Sequence, residues 1–194
     1  MEYLLAGLVL FLGIHSMRIF ADGWRSQMVA RIGLQPWKML YTALSLAGLV
    51  LIVWGWGLAR QSPVLLWQPP AGLRHAAALV TLLSFVLLAA AFVPGNQIKA
   101  RFHHPMVLSV KAWALAHLLA NGSLADVLLF GSFLAWSVAQ FIVLRRRDRR
   151  DGRSYPPGRL GATVLAVLAG GVAWAVFAFW LHAVLIGVKP FGGQ

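Results

Sequence analysis

The chain has 194 residues, of which 60% are hydrophobic and 11% charged. Soluble domains run at about 45–50% apolar and about 25% charged, so a water-soluble globule is excluded and an integral membrane protein is indicated. Cysteine is absent, which removes disulfides, thiolate ligands and cysteine nucleophiles; the net charge of +12 falls mostly in links beside apolar runs, where it sets topology and does not point to nucleic acid.

The apolar runs are long and do not alternate, so they predict helices and not a barrel. The first helix is expected over residues 3–20. It has neither a basic leading region nor a small-residue cleavage site after Phe20, and reads as a retained span. Its centre, "FLGIHSMRIF", carries His15 and Ser16. His15, Arg18 and Asp22 lie at i, i+3 and i+7, one polar stripe in which Arg18 and Asp22 can pair. Further spans are expected over residues 37–58 and 73–93, the latter ended by Pro94 and Gly95.

The fourth helix, residues 105–120, begins on a proline suited to a first helical turn. His117 follows Trp113 by four residues and shares its face, with Ala114 and Ala120 leaving room beside the imidazole. A flat ligand against Trp113, reached by His117, is one reading. A core histidine bonded to a helix carbonyl or another side chain is the other, and residue type leaves both open. Lys111 shares the face of His104 and can reach the cytoplasmic interface.

Asn121-Gly122-Ser123 forms a short link in which Gly122 can close the fourth helix. Ser123 with Asp126 resembles a capping box opening the fifth helix, residues 123–144. The sixth, residues 160–188, is rich in small residues, and Gly170 and Gly171 would admit a close neighbour. Trp24, Trp37, Trp67 and Trp180 fall near expected interfaces.

Basic residues concentrate in the links after the first, third and fifth helices, culminating in "RRRDRRDGR", whereas the opposite side has only Arg60, Arg74 and Lys189. The expected architecture is therefore an all-α integral membrane bundle of about six transmembrane helices, one domain over residues 1–194, with both termini on the outer, periplasmic side.

Buried ionisable groups are costly in lipid unless they have a task. Two intramembrane histidines without cysteine or nearby carboxylate suit haem better than zinc, which takes three or four protein ligands. On this reading His15 and His117 ligate the metal, and Arg18 meets an anionic tail of the cofactor. At about 1.5 Å rise per residue the expected boundaries leave the two imidazoles on the order of 10 Å apart in depth. His75 and His182, both near the outer side, form a competing pair.

The stretches "FLGIHSMRI" and "HHPMVLSVKAWALAHLLANGSLADVLLFG" resemble the NnrU family of bacterial membrane proteins, over most of the chain. That family is related to zeta-carotene isomerases and shares a histidine-proline element with isoprenylcysteine methyltransferases. The resemblance implies haem b held by the histidine of the N-terminal "HS" motif, here His15–Ser16, and by that of an "AH" element, here Ala116–His117. The family's arginine-histidine-proline element corresponds to His103–His104–Pro105, with histidine in place of arginine. Ala114 stands where some isomerases carry a cysteine, so a thiol switch is not expected. The resemblance also implies the bacterial inner membrane and a link to nitrite and nitric oxide metabolism.

Three functions follow as expectations. One is a haem b protein, with His15, His117, Arg18, Trp113 and His104 as cofactor-binding residues and a small gas or an apolar polyene as ligand. Another is a haem-free enzyme of the methyltransferase-like kind using His104 and Pro105. The third is an assembly subunit whose polar stripes join helices. Neither the catalytic residues nor the oligomeric state is determined by the sequence.

Overall fold

The structure, a computed structural model, describes residues 1–191. Its elements are all helical: α1 (Glu2–His15), α2 (Met17–Phe20), α3 (Asp22–Ile32), α4 (Leu34–Ala59), α5 (Ala71–Phe92), α6 (Gln97–Phe102), α7 (Pro105–Ala120), α8 (Leu124–Arg150), α9 (Leu160–Val176) and α10 (His182–Ile186). A π-helical turn, Phe177–Leu181, joins the last two. No strand occurs among the described residues, only two isolated bridges.

Among the described residues, four helical stretches have the length and hydropathy to cross a membrane: α4, α5, α8 and the continuous Leu160–Ile186. Helices α1 and α7 are shorter apolar helices. The six apolar segments expected from the sequence are thus all helical, with three differences.

The first segment does not run unbroken to residue 20. It ends at His15, because the Ser16 amide shares its bond between Leu12 O (2.9 Å) and Gly13 O (3.1 Å) and tightens the last turn. The link that follows contains α3, which has no apolar period to betray it. The fifth segment continues beyond residue 144 to Arg150, since arginine is a good helix former and favours the negative C-terminal end of the helix dipole.

The chain divides into two compact units. The first comprises Met1–Gln68 and Asn121–Val143. Here α1 packs on α4 through glycines. A Cβ placed on Gly48 would stand 2.8 Å from Phe11 N, and one on Gly7 2.6 Å from Ile52 N. Without a hydrophobic drive in lipid, such close backbone approach is the main source of helix attraction. Leu4 and Leu8 are buried in the same seam.

Gly48→Leu is therefore expected to destabilise the protein by at least about 1–3 kcal/mol, the usual cost of overpacking. Gly57→Leu, where a Cβ meets nothing within 4 Å, serves as control. Denaturant titration of the two variants in detergent checks the difference.

Gly122, two residues beyond the end of α7 at Ala120, does not take the left-handed conformation of a helix-closing glycine. Its carbonyl accepts from Leu66 N (2.9 Å) and Trp67 N (3.2 Å), and a Cβ would run into the Trp67 carbonyl. Ser123 caps α8 as expected: Asp126 N donates to Ser123 Oγ at 3.2 Å, and the Asp126 carboxylate accepts from the Ser123 hydroxyl (2.6 Å to Oδ2).

The second unit comprises Pro69–Ala120 and Leu144–Gln194. Helix α5 packs against α7, where Ser84 Oγ donates to Ser109 O at 2.7 Å, and against α9, where a Cβ on Gly170 would lie 2.6 Å from Val86 Cα. Gly171 faces open space, so only one of the two glycines mediates packing. Asn96 is almost fully buried: its side chain caps α6 by accepting from Lys99 N at 2.7 Å and donates to Ala90 O at 2.8 Å. Trp37, placed at an interface from the sequence, is buried beside Trp24; Trp24, Trp67 and Trp180 are exposed.

Candidate functional site

In the first unit, His15 closes α1 inside an aromatic cage. Phe11 stacks on it (centroids 4.2 Å), Tyr41 of α4 lies at 5.3 Å and Trp136 of α8 stands edge-on at 6.2 Å. His15 Nδ1 is 2.7 Å from the Phe11 carbonyl, one turn back. A carbonyl only accepts, so Nδ1 carries the proton and the neutral ring has its lone pair on Nε2. Nε2 has no hydrogen-bond partner among the described residues. Arg18 and Asp22 form the expected pair at 3.6 Å, largely exposed, near this end of α1.

In the second unit, His117 repeats the arrangement. Its Nδ1 lies 2.8 Å from the Trp113 carbonyl, and the two rings share a face with centroids 5.1 Å apart. The same argument puts the proton on Nδ1 and the lone pair on Nε2. Each histidine thus makes the helix-carbonyl bond of a core histidine, and that bond is also the outer hydrogen bond that orients a metal-ligating imidazole. His182 turns its Nδ1 to the Val188 carbonyl (2.7 Å), beyond the end of α10. Among the described residues no group of three or more His, Asp or Glu could hold a metal ion, so a zinc site of the usual ligand number is not assembled.

The second unit also contains a polar cluster that composition did not announce. His104 Nε2 donates to Asp148 Oδ2 at 2.8 Å, and Tyr155 Oη donates to the same oxygen at 3.0 Å. His103 stacks on Tyr155 with centroids 4.0 Å apart, and Arg145 donates to its Nδ1. The backbone at His103 is left-handed (φ 67, ψ −46), bridged by His104 N to Phe102 O at 2.8 Å. This strained γ-turn persists only because the surrounding contacts over-determine it.

Burial pushes the His104 pKa below its usual range, outweighing the pull of Asp148 in the other direction. Burial, then the bond to Asp148, raises the Tyr155 phenol. The cluster ties the α6–α7 turn and the residue 151–159 segment to the last turns of α8.

Asp148 was not singled out in the sequence because it is one acid in an arginine run; only the fold brings it against His104. Trp136 and Gln140 carry no ionisable group to mark them in the sequence. A glutamine within an apolar span was the available signal.

A chain whose described elements are helices, several of them apolar and long enough to span a bilayer, is a multi-pass integral membrane protein. More specifically, it belongs to the NnrU family: the family model described as NnrU protein matches residues 3–190. No curated protein and no solved structure matches the chain.

Proposed function

We propose that this NnrU-family protein binds haem b in the bacterial inner membrane, with His15 and His117 as iron-ligating imidazoles. The observation that supports this is the shared tautomer. Both rings commit Nδ1–H to the carbonyl one turn back, at 2.7 and 2.8 Å, which places the lone pair on Nε2, the nitrogen that would meet iron. A two-imidazole haem needs no third protein ligand.

Trp113 supplies a flat face beside His117, and Arg18 a cation for a propionate. His104, with Nε2 engaged by Asp148, holds the neighbouring turn in place. Haem would supply one-electron chemistry and affinity for a small gas; nitrite and nitric oxide metabolism or redox isomerisation of a polyene are the uses that fit. The basic links lie in the cytoplasm and both termini outside, and the polybasic end of α8 meets anionic lipid.

The test is a visible spectrum of the detergent-purified protein after haem supplementation. A Soret band is expected, lost in His15→Ala plus His117→Ala. No band in the wild type, or an undiminished band in the double variant, rejects the proposal.

A further inference from the structure

An open apolar groove of about 540 Å³ runs along one face of the first unit. Helices α1 and α2 form one wall, from Leu5 through Leu12, Gly13 and Phe20 to Ala21, and Ser132 of α8 stands opposite. Gly13 keeps the wall hollow, since a Cβ there would meet nothing within 4 Å. From Leu5 to Ala21 the groove extends up to about 24 Å, at about 1.5 Å per residue. One leaflet's share of a bilayer's hydrocarbon core is about 15 Å, so a full acyl chain fits along it.

The groove is apolar along its length and basic at one end. From Leu5 to Met17 the only ionisable side chain is His15, which does not line it. Ala21, at the far end, accepts from Arg25 N at 3.0 Å, so Arg25 stands one turn beyond the lining. The segment from Met17 to Lys38 carries Arg18, Arg25, Arg31 and Lys38 against a single acid, Asp22. Phe20 (82% exposed) and Trp24 (49%) mark the same end, and exposed aromatic side chains of a membrane protein gather at headgroup level. Helix α3 buries none of its residues in the unit, as suits a helix lying on the membrane surface. The matching occupant is apolar over the depth of one leaflet and negatively charged at one end.

We propose that this groove holds one anionic phospholipid, with an acyl chain between α1 and α8 and its phosphate at Arg25. A helix from a second copy would fill the groove but leave its basic end unanswered; an anionic headgroup answers it. Arg18, paired with Asp22, stays with the haem propionate, and neither His15 nor His117 lines the groove, so the proposal does not depend on haem.

The experiment places the full chain in nanodiscs of equal phosphatidylglycerol and phosphatidylcholine, releases it into detergent and reads the retained lipid by native mass spectrometry. One phospholipid per chain is expected, phosphatidylglycerol over phosphatidylcholine by about fivefold, the worth of one arginine at an anionic headgroup. Arg25→Gln keeps a bound phospholipid and loses the preference. Gly13→Leu puts a side chain into the groove and loses the retained lipid. Ser132→Phe fills the groove from the other wall with the same result, which keeps the test decisive if one variant fails to fold. Gly57→Leu, whose side chain meets open space away from the groove, retains lipid as the wild type does.

No retained phospholipid, equal retention of the two lipids, or wild-type retention in both groove variants overturns the assignment. So does a dimer of the chain that Gly13→Leu and Ser132→Phe dissociate, which gives the groove to a second copy. A preference unchanged in Arg25→Gln overturns the headgroup site. Haem adds its own mass, so its presence or absence is read separately and failure of one proposal is distinct from failure of the other.

Discussion

Asp148→Ala is expected to destabilise the second unit by up to about 2–6 kcal/mol, because it strands two half-buried donors at once. His104 Nε2–H and Tyr155 Oη–H both bond to the lost Oδ2, at 2.8 and 3.0 Å. Leaving a buried donor unmet costs about 1–3 kcal/mol each. The strained turn at His103 would relax once its supports are gone. Asp148→Asn, which keeps an accepting oxygen, should recover part of the loss. Denaturant midpoints of the three proteins in detergent decide this; equal midpoints for wild type and Asp148→Ala would show that the cluster is not a clamp.

The same cluster predicts a pH dependence. The folded pKa of His104 lies below its unfolded value of 6.5, so the unfolded chain binds more protons just below that pH. Its contribution is fully present above about pH 6.5 and is lost as pH falls toward the folded pKa. Asp148 is what holds the His104 pKa up against burial, so Asp148→Ala should lose stability more steeply on the acid side. Tyr155 acts at the other end. Its folded pKa is raised above 10, so its contribution is present below pH 10 and declines as pH rises through the folded value. Unfolding midpoints between pH 5 and 11 resolve both limbs.

Asp126→Ala is expected to cost the first unit about 2–4 kcal/mol. Three things fail together. Trp56 Nε1–H, now bonded to Asp126 Oδ1 at 3.0 Å, becomes an unmet donor. The Ser123 hydroxyl loses its 2.6 Å acceptor, so the capping side chain is no longer held in place. The N-terminus of α8 loses its acidic residue, a favourable charge at the positive end of the helix dipole. Trp56→Phe removes the donor as well as its bond, so the double variant should be less destabilised than the sum of the single ones. Additive losses in that cycle would refute a direct Trp56–Asp126 coupling.

These two carboxylates show how the sequence and the tertiary structure divide the work. Asp126 was legible because its partner is local: Ser123 stands three residues away, and a capping box repeats at fixed spacing. Its bond to Trp56, 70 residues distant, was not legible. Asp148 was hidden altogether, since its partners His104 and Tyr155 come from separate segments and no local period links them.

The same rule covers the histidines. That His117 shares a face with Trp113 follows from a spacing of four on any helix. The tautomer is equally local, since the accepting carbonyl is one turn back in both His15 and His117. The cage of Tyr41 and Trp136 around His15 appears only when α1, α4 and α8 are packed.

What the sequence determined by itself is the class. Sixty per cent hydrophobic composition and long unbroken apolar runs leave only membrane helices, because hydropathy is a property of each segment and lipid requires backbone bonds to close within it. What only the tertiary structure decided is which polar groups meet. The first helix breaks at Ser16, Gly48 and not Gly57 admits a neighbour, and Asp148 finds His104. Such contacts join residues far apart in the chain, and they depend on packing geometry that no single helix encodes.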